Sequence, residues 1–195
     1  MRSFGPCAAA VVGACLAAAA PAARAEELRP DPPRRFADCA AISDARRLDA
    51  PLHRSGITAR RCFVAPGTWI AVLSDDAKSW PVVRDGSRPP VSMEHPERRL
   101  PFENASPLRV SDDRDALVVL RGAGRAPRAA FYSAAADRAD APGRIPAFVV
   151  VRIRPRPCLL GVARGAERAL ELAEAEERRL AAGGPNACPP PADPE

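Results

Sequence analysis

Four cysteines follow an N-terminal export signal, and together these features limit the folds open to the chain. Arg2 supplies positive charge, Ala8–Ala20 form an apolar stretch, and residues 23–25 (Ala-Arg-Ala) form a small-x-small cleavage site. The stretch is shorter than the roughly 20 apolar residues that a membrane-spanning helix needs. We therefore expect residues 1–25 to be cleaved as a signal peptide. The mature chain, starting at Glu26, is then expected to be periplasmic or secreted.

After cleavage the chain keeps an even number of cysteines, namely Cys39, Cys62, Cys158 and Cys188. In an oxidising compartment four thiols most simply form two disulfides, for which three pairings exist. Closeness in sequence favours Cys39–Cys62 and Cys158–Cys188, and each bridge would stabilise the fold by about 3–4 kcal/mol through loop closure. No two cysteines form a C-x-x-C pair, so the sequence predicts neither a zinc site of that type nor a dithiol redox motif.

An alternative interpretation of the N-terminus involves lipid attachment. Residues 12–15 (Val-Gly-Ala-Cys) are compatible with a lipoprotein signal, in which Cys15 would become the acylated first residue. Residues 16–20 are still apolar, however, whereas the segment after an acylated cysteine is usually polar. We therefore expect cleavage near Ala25 and keep the lipoprotein as the alternative.

The length after cleavage corresponds to a single domain, predicted to span residues 38–188. Residues 26–37 combine prolines with charges and are predicted to form an extended leader. Within the domain, residues 85–107 contain five prolines and no periodicity, which predicts a long loop that is either functional or disordered. Residues 189–195 are predicted to be a disordered tail.

Apolar runs rich in β-branched and aromatic residues predict the strands of an antiparallel sheet. These strands are Thr68–Leu73, Trp80–Arg84, Leu117–Leu120, Ala129–Ser133, Ala147–Arg154 and Cys158–Val162. A turn containing Gly122, Ala123 and Gly124 joins the third strand to the fourth. A short helix over Asp38–Leu48 also fits the spacing of apolar residues.

A long C-terminal helix is predicted over Ala163–Ala182, where glycines and a proline follow. Its apolar side carries Ala166, Ala169, Leu170, Ala173 and Leu180. The pairs Glu174/Arg178 and Glu176/Arg179 are expected on the solvent side. The predicted fold class is therefore α+β: a small antiparallel sheet of about four to six strands, with one long C-terminal helix packed on it and two disulfides.

Alternation at the end of the Ala147–Arg154 strand predicts a sheet with one solvated face. Val151 and Ile153 are expected to point to one side and Arg152 and Arg154 to the other, where Arg156 follows them if Pro155 does not turn the chain first. Three arginines at this spacing are a candidate surface for a carboxylate, a lipid headgroup or an anionic polymer. A sheet edge that is protected by solvated charges is the more common interpretation.

Charged residues are distributed without a basic block. Loss of Arg2 and Arg24 with the signal peptide lowers the basic count from 29 to 27, against 24 acidic residues, a net charge of +3. Nucleic-acid binders concentrate positive charge on one face or in one segment, which this chain does not do. We expect no nucleic-acid partner and no transmembrane segment in the mature chain.

Residues suited to catalysis or metal binding are scarce. No Gly-x-Ser-x-Gly elbow occurs, and the chain has only two histidines. Met93 and His95 are weak candidates for a metal site, because thioether and imidazole ligands suit copper. Paired carboxylates, Asp75 or Asp112 with Glu94, are the candidates if the protein is a hydrolase.

These observations favour a non-enzymatic component of the cell envelope, with no cofactor and no assigned catalytic residue. We expect its partner to be an envelope protein or polymer that binds the surface and the proline-rich loop. A periplasmic hydrolase and a metal-handling protein that uses Met93 and His95 are the two alternatives.

Overall fold

The computed structural model describes residues 27–43, 48, 57–75, 78–93, 110, 116–137 and 143–190. The predicted signal peptide, its cleavage site near Ala25 and the lipoprotein candidate Cys15 lie outside the described residues. Residues 94–107 of the predicted loop and 191–195 of the predicted tail also lie outside them.

Eleven strands and one α-helix occur in the described part of the chain. The strands are β1 (Arg29–Pro30), β2 (Arg34–Arg35), β3 (Ala40–Ile42), β4 (Thr58–Ala65), β5 (Thr68–Ser74), β6 (Ser79–Arg84), β7 (Val91–Ser92), β8 (Ala116–Arg121), β9 (Pro127–Asp137), β10 (Arg144–Arg152) and β11 (Cys158–Ala163). The helix α1 is Ala166–Ala181. Strands β3 to β7 form a five-stranded sheet in sequence order, and the others form a six-stranded sheet in the order β1-β8-β9-β10-β11, with β2 also paired to β8. Both sheets are antiparallel.

The predicted fold class is confirmed, and the structure divides the strands between two sheets. Each of the six predicted strands is present, and β9 is extended to Pro127–Asp137. Strand β4 was not predicted. The helix proposed over Asp38–Leu48 is wrong where the structure describes it, because a 3-10 turn at Phe36–Asp38 leads directly into strand β3.

The six-stranded sheet is the middle layer, with the five-stranded sheet on one face and α1 on the other. Alternating side chains of β8 and β9, among them Leu117 and Tyr132, meet Ile70 and Val72 of the five-stranded sheet in a shared apolar core. The opposite face of the middle sheet packs against Ala169 and other small residues of α1. Each strand alternates its side chains between the two faces of its sheet, so the layers on either side of the middle sheet bury the apolar side chains of both of its faces.

The outer face of the five-stranded sheet is also apolar. Trp69, Leu73 and Trp80 are buried there together with Leu48, which belongs to the stretch between β3 and β4. The sheet therefore contributes to two apolar clusters, one on each face.

Both disulfides favoured by closeness in sequence are present. Cys39–Cys62 joins the chain just after the leader to β4, and Cys158–Cys188 joins the start of β11 to the chain that follows α1. The second bridge therefore links the chain that follows α1 covalently to β11, the edge strand of the six-stranded sheet.

The beginning of the predicted proline-rich loop is structured. Residues 85–88 form a turn in which the Arg88 N–H donates to the Asp85 carbonyl oxygen at 3.4 Å, and strand β7 (Val91–Ser92) pairs with β6. The expectation of a long loop without structure is therefore wrong for this part of the segment.

Candidate functional site

The three arginines of the predicted anion or partner surface lie in three different environments. Arg152 is completely buried, at 0% exposure, beneath α1. Arg154 is half-buried, and its Nε donates to the Asp85 carboxylate at 2.8 Å, whereas Arg156 is exposed. The expectation that Arg152 faces solvent is wrong, because α1 covers that face of the sheet. The three arginines therefore share no exposed surface.

A buried ionic cluster joins α1 to the six-stranded sheet. The Arg152 guanidinium donates from Nη1 to the Glu176 carboxylate and from Nε to the carbonyl oxygen of Arg156, the latter at 2.8 Å. Arg179, which lies three residues after Glu176 on α1, donates to the same carboxylate from Nε at 2.6 Å and from Nη2 at 2.8 Å. Two guanidinium groups therefore share one carboxylate.

The same two arginines hold the C-terminal segment, defined here as residues 183–190. Nη2 of Arg152 lies 2.9 Å from the Asn186 carbonyl oxygen and also 2.9 Å from Cys158 Sγ. Arg179 donates from Nη1 to the Pro185 carbonyl oxygen at 2.8 Å. The segment is thus fixed by hydrogen bonds as well as by the Cys158–Cys188 bridge.

A second ion pair lies beside this cluster. Glu177 is buried and accepts hydrogen bonds from Arg128 of β9, the shortest at 2.8 Å. The carbonyl oxygen of Arg128 in turn accepts from the N–H of Ile153 at 2.7 Å. Consecutive glutamates of α1 therefore bind arginines from two neighbouring strands of the sheet.

The contacts in the cluster determine its charge. Burial would raise the pKa of Glu176, but hydrogen bonds from Arg179 and the charge of Arg152 outweigh it and hold that pKa below its usual value. The hydrogen bond to Glu176 raises the pKa of Arg179. Burial lowers the pKa of Arg152 and the charge of Glu176 opposes that change, while a guanidinium in a protein stays protonated. At neutral pH these three side chains carry two positive charges and one negative charge.

A separate open site, which we call the basic cleft, forms where the leader lies along β8. Its volume is about 940 Å³. Strand β1 pairs with the end of β8 and β2 with its start, and the prolines between them cannot donate to the ladder, which keeps both pairings short. The turn between β8 and β9 completes the lining. The lining residues are Glu27, Arg29, Pro30, Asp31, Pro32, Pro33, Arg34, Arg121, Gly122, Ala123, Gly124 and Arg125.

Arg121 fastens the parts of the basic cleft to each other. Its Nε donates to the two carboxylate oxygens of Asp31 at 2.8 and 2.9 Å. Nη1 donates to the Arg125 carbonyl oxygen and Nη2 to the Val64 carbonyl oxygen, each at 2.9 Å. All three nitrogens of this guanidinium are therefore engaged within the protein.

The turn after β8 has an unusual backbone conformation. The predicted turn is present, and Gly124 adopts a φ of 70° within it. The next residue, Arg125, has a φ of 62°, in the left-handed region that costs a non-glycine residue on the order of 1 kcal/mol or more. Such conformations are concentrated at ligand-binding sites. The Arg125 side chain is exposed at the cleft.

Positive charge exceeds negative charge in the basic cleft. Four of the lining residues are arginines and two are acidic, and one of the acids, Asp31, is engaged by Arg121. Among the described residues, the Arg34 side chain donates one hydrogen bond, to the Phe63 carbonyl oxygen at 3.3 Å. The guanidinium of Arg125 has no ion pair with any other described residue. Arg34 and Arg125 are therefore the side chains best placed to meet an anion.

The other candidate residues do not form a site in the described part of the chain. Met93 is buried in the core between the sheets, where its thioether lies among apolar side chains. The Asp75 carboxylate accepts a hydrogen bond from the N–H of Lys78 at 2.7 Å, as expected of a turn before a strand. Glu94, His95 and Asp112 lie outside the described residues. Among residues that the structure describes, no group of three or more His, Cys, Asp or Glu could hold a metal ion.

Sequence reasoning missed the functional potential of Arg34 and Arg125. It identified an extended leader and a turn, but the Arg121–Asp31 contact that brings them together joins positions 90 residues apart. A local sequence pattern does not show which distant residues come into contact.

No protein family, no curated protein and no solved structure matches this chain. Among the described residues, no helix combines the length and the apolar character that a membrane crossing requires. Function is therefore inferred from the chemistry of the basic cleft.

Proposed function

We propose that this protein is an exported, disulfide-stabilised binding component of the cell envelope, and that its basic cleft holds an anionic polymer. The observation that carries the proposal is the pair of accessible guanidinium groups, on Arg34 and Arg125, beside the internally satisfied Arg121–Asp31 pair. The two disulfides support an oxidising compartment outside the cytoplasm.

The composition of the lining favours a polymer over a folded protein as the ligand. Buried aromatic anchors supply much of the affinity of protein interfaces, and the described lining of the cleft contains no aromatic residue: it consists of arginines, two acids, prolines, glycines and one alanine. Guanidinium groups bind carboxylates and phosphates through paired, charge-assisted hydrogen bonds. An extended chain that repeats such groups matches an open cleft with separated arginines.

The same lining does not favour catalysis. Asp31 is engaged by Arg121, and Glu27 lies 4.0 Å from Arg29 where both side chains are more than 80% exposed. General acid–base catalysis by two carboxyl groups needs environments that separate their pKa values, usually through burial. Binding is therefore the function assigned to the cleft.

The proposal is tested by measuring how the oxidised protein binds fluorescently labelled polyglutamate and polyphosphate, using anisotropy at several salt concentrations. The double variant Arg34→Glu/Arg125→Glu is expected to bind at least about 10-fold more weakly, because each charge-assisted contact contributes about 1.5–3 kcal/mol. The control Arg156→Glu reverses an exposed charge outside the cleft and should bind within about twofold of the wild type. Binding to the wild type should also weaken as salt rises.

Two results would contradict the proposal. Equal weakening by Arg156→Glu would favour the surface predicted from the sequence instead of the cleft. Failure of the wild type to bind either polymer at low salt would exclude a polyanion as the ligand. Photo-crosslinking from position 125 in cells then identifies what occupies the cleft, and recovery of a protein would replace the polymer in the proposal.

A further inference from the structure

The two disulfides differ in the groups that surround their sulfur atoms. Cys158 is buried at 2% exposure, whereas its partner Cys188 is exposed. The Arg152 guanidinium lies 2.9 Å from Cys158 Sγ. At the other bridge, Cys39 Sγ lies 3.8 Å from the carbonyl oxygen of Arg35, a group that cannot stabilise negative charge. The two bridges should therefore respond differently to an attacking thiolate.

Charge around Cys158 would favour a thiolate at that position. Arg152 and Arg179 share the single carboxylate of Glu176, which leaves one more positive than negative charge among these three side chains. A thiolate on Cys158 would balance this charge and would accept the hydrogen bond that Arg152 already directs at the sulfur. Adjacent cations lower the pKa of a cysteine thiol, and a thiol of lower pKa leaves a disulfide faster.

We propose that the Cys158–Cys188 bridge is a thiol–disulfide exchange site that takes a small thiol or the cysteine of another protein. The thiolate of the incoming molecule attacks the Sγ of Cys188, the exposed residue of the bridge, and forms a new S–S bond with it. The Cys158–Cys188 bond breaks, and its electron pair leaves with Cys158, which becomes a thiolate paired with Arg152. The incoming thiol is oxidised to a mixed disulfide and Cys158 is reduced, so electrons balance without another oxidant.

Hydrogen bonds make this exchange reversible. After the bridge opens, the Asn186 and Pro185 carbonyl oxygens still accept hydrogen bonds from Arg152 and Arg179, which keeps Cys188 close to Cys158. The Cys158 thiolate can then attack the mixed disulfide at Cys188 and expel the bound thiol. This covalent site is independent of the basic cleft and of any polymer bound there.

The regiochemistry is tested on the wild-type oxidised protein. The protein is incubated with reduced glutathione, quenched with acid, denatured, alkylated and mapped by peptide mass spectrometry. We expect glutathione on Cys188, an alkylated Cys158, and opening of Cys39–Cys62 that is at least about 10-fold slower. Equal opening of the two bridges, or glutathione mainly on Cys158, would overturn the proposal.

The role of the guanidinium is tested with two matched single-cysteine removals. In Cys188→Ala the remaining Cys158 keeps its contact with Arg152, and in Cys39→Ala the remaining Cys62 is equally buried. The pH dependence of thiolate absorbance should place the pKa of Cys158 below the usual cysteine value of about 8.5 and that of Cys62 at or above it. A Cys158 pKa at or above about 8.5 would show that burial outweighs Arg152 and would remove the basis for selective exchange.

Discussion

The two faces of the six-stranded sheet are both buried, but they are stabilised in different ways. Toward the five-stranded sheet the contacts are made by apolar side chains such as Leu117, Val149 and Ile70. Toward α1 the helix contributes the small buried residues Ala169 and Ala173 to the apolar contacts, and two buried glutamates bind Arg152 and Arg128. The first interface depends on the area removed from water, and the second also depends on matched charges.

This difference shows what each interface tolerates. An apolar core loses stability in proportion to the volume removed from it. A buried ion pair adds little net stability, yet removal of one partner leaves an uncompensated charge and is costly. The charged interface is therefore the more specific of the two. Each interface adjoins one disulfide, Cys39–Cys62 in the apolar core and Cys158–Cys188 beside the charged cluster.

The largest loss of stability is expected from removing the most buried charge. Arg152→Met should lower the free energy of unfolding by about 3–5 kcal/mol, because Glu176 and the carbonyl oxygens of Arg156 and Asn186 all lose the same donor. The exposed helical pair Arg178–Glu174 provides the control, since Arg178→Met should cost less than about 1 kcal/mol. Urea unfolding at pH 7 measures both variants, and similar small costs would show that the buried cluster does not hold the helix.

The apolar interface should respond somewhat less strongly to a single truncation. Leu117→Ala removes a fully buried side chain from the core between the sheets and should cost about 3 kcal/mol. The matched control is Val91→Ala on the exposed part of β7, where a cost below about 1 kcal/mol is expected. The same urea experiment compares them, and equal costs would contradict the assignment of Leu117 to the core.

Acid should weaken the charged interface and leave the apolar one intact. The pKa of Glu176 is lowered in the folded protein, so its stabilisation is present above the unfolded-state pKa of about 4.3 and is lost as the pH falls through the folded-state value. The difference in unfolding free energy between wild type and Glu176→Gln should be constant from pH 7 to about 5 and should shrink below that. Urea titrations at pH 7, 5, 4 and 3 test this, and a constant difference throughout would contradict the lowered pKa.

The smallest effect is expected at a polar group inside the apolar interface, the hydroxyl of Tyr132. The Tyr132 hydroxyl is buried without a hydrogen-bond partner among the described residues, and burial raises the pKa of this phenol. Tyr132→Phe removes a hydroxyl whose hydrogen bonds to water in the unfolded chain are not replaced by a described partner on folding. The edge-to-face contact with Phe36, with ring centroids 5.6 Å apart, remains. Stability should therefore rise by about 1 kcal/mol or stay unchanged. A loss above about 1 kcal/mol in thermal or urea unfolding would reveal an essential partner for the hydroxyl.

The sequence predicted those strands whose apolar runs are continuous. Strand β4 was missed because Arg60 and Arg61 interrupt its apolar pattern. In the structure the Arg60 guanidinium donates to the Cys39 carbonyl oxygen at 3.3 Å, and Arg61 lies over the ring of Phe63 at 4.8 Å. Both arginines are thus compatible with a sheet through contacts that a local pattern does not contain.

The charged side of α1 was predicted in part. Glu174 and Arg178 form the expected exposed pair, at 3.5 Å. Glu176 and Arg179 do pair, but the prediction that they lie on the solvent side is wrong for Glu176, which is buried. Charged residues are assigned to solvent unless a partner is known, and Arg152 is 24 residues away in sequence. The basic cleft was missed for the same reason, since it depends on contacts between distant segments.

The dependence of Arg152 and Glu176 on each other is measured most directly by a double-mutant cycle at pH 7. The cycle compares Arg152→Met, Glu176→Met and the double variant, which replaces the ion pair with apolar side chains of similar length. We predict that each single change costs about 3–5 kcal/mol and that the double variant costs at least about 2 kcal/mol less than the sum of the two. Additive costs, with a coupling energy within about 0.5 kcal/mol of zero, would contradict a helix interface held by matched charges.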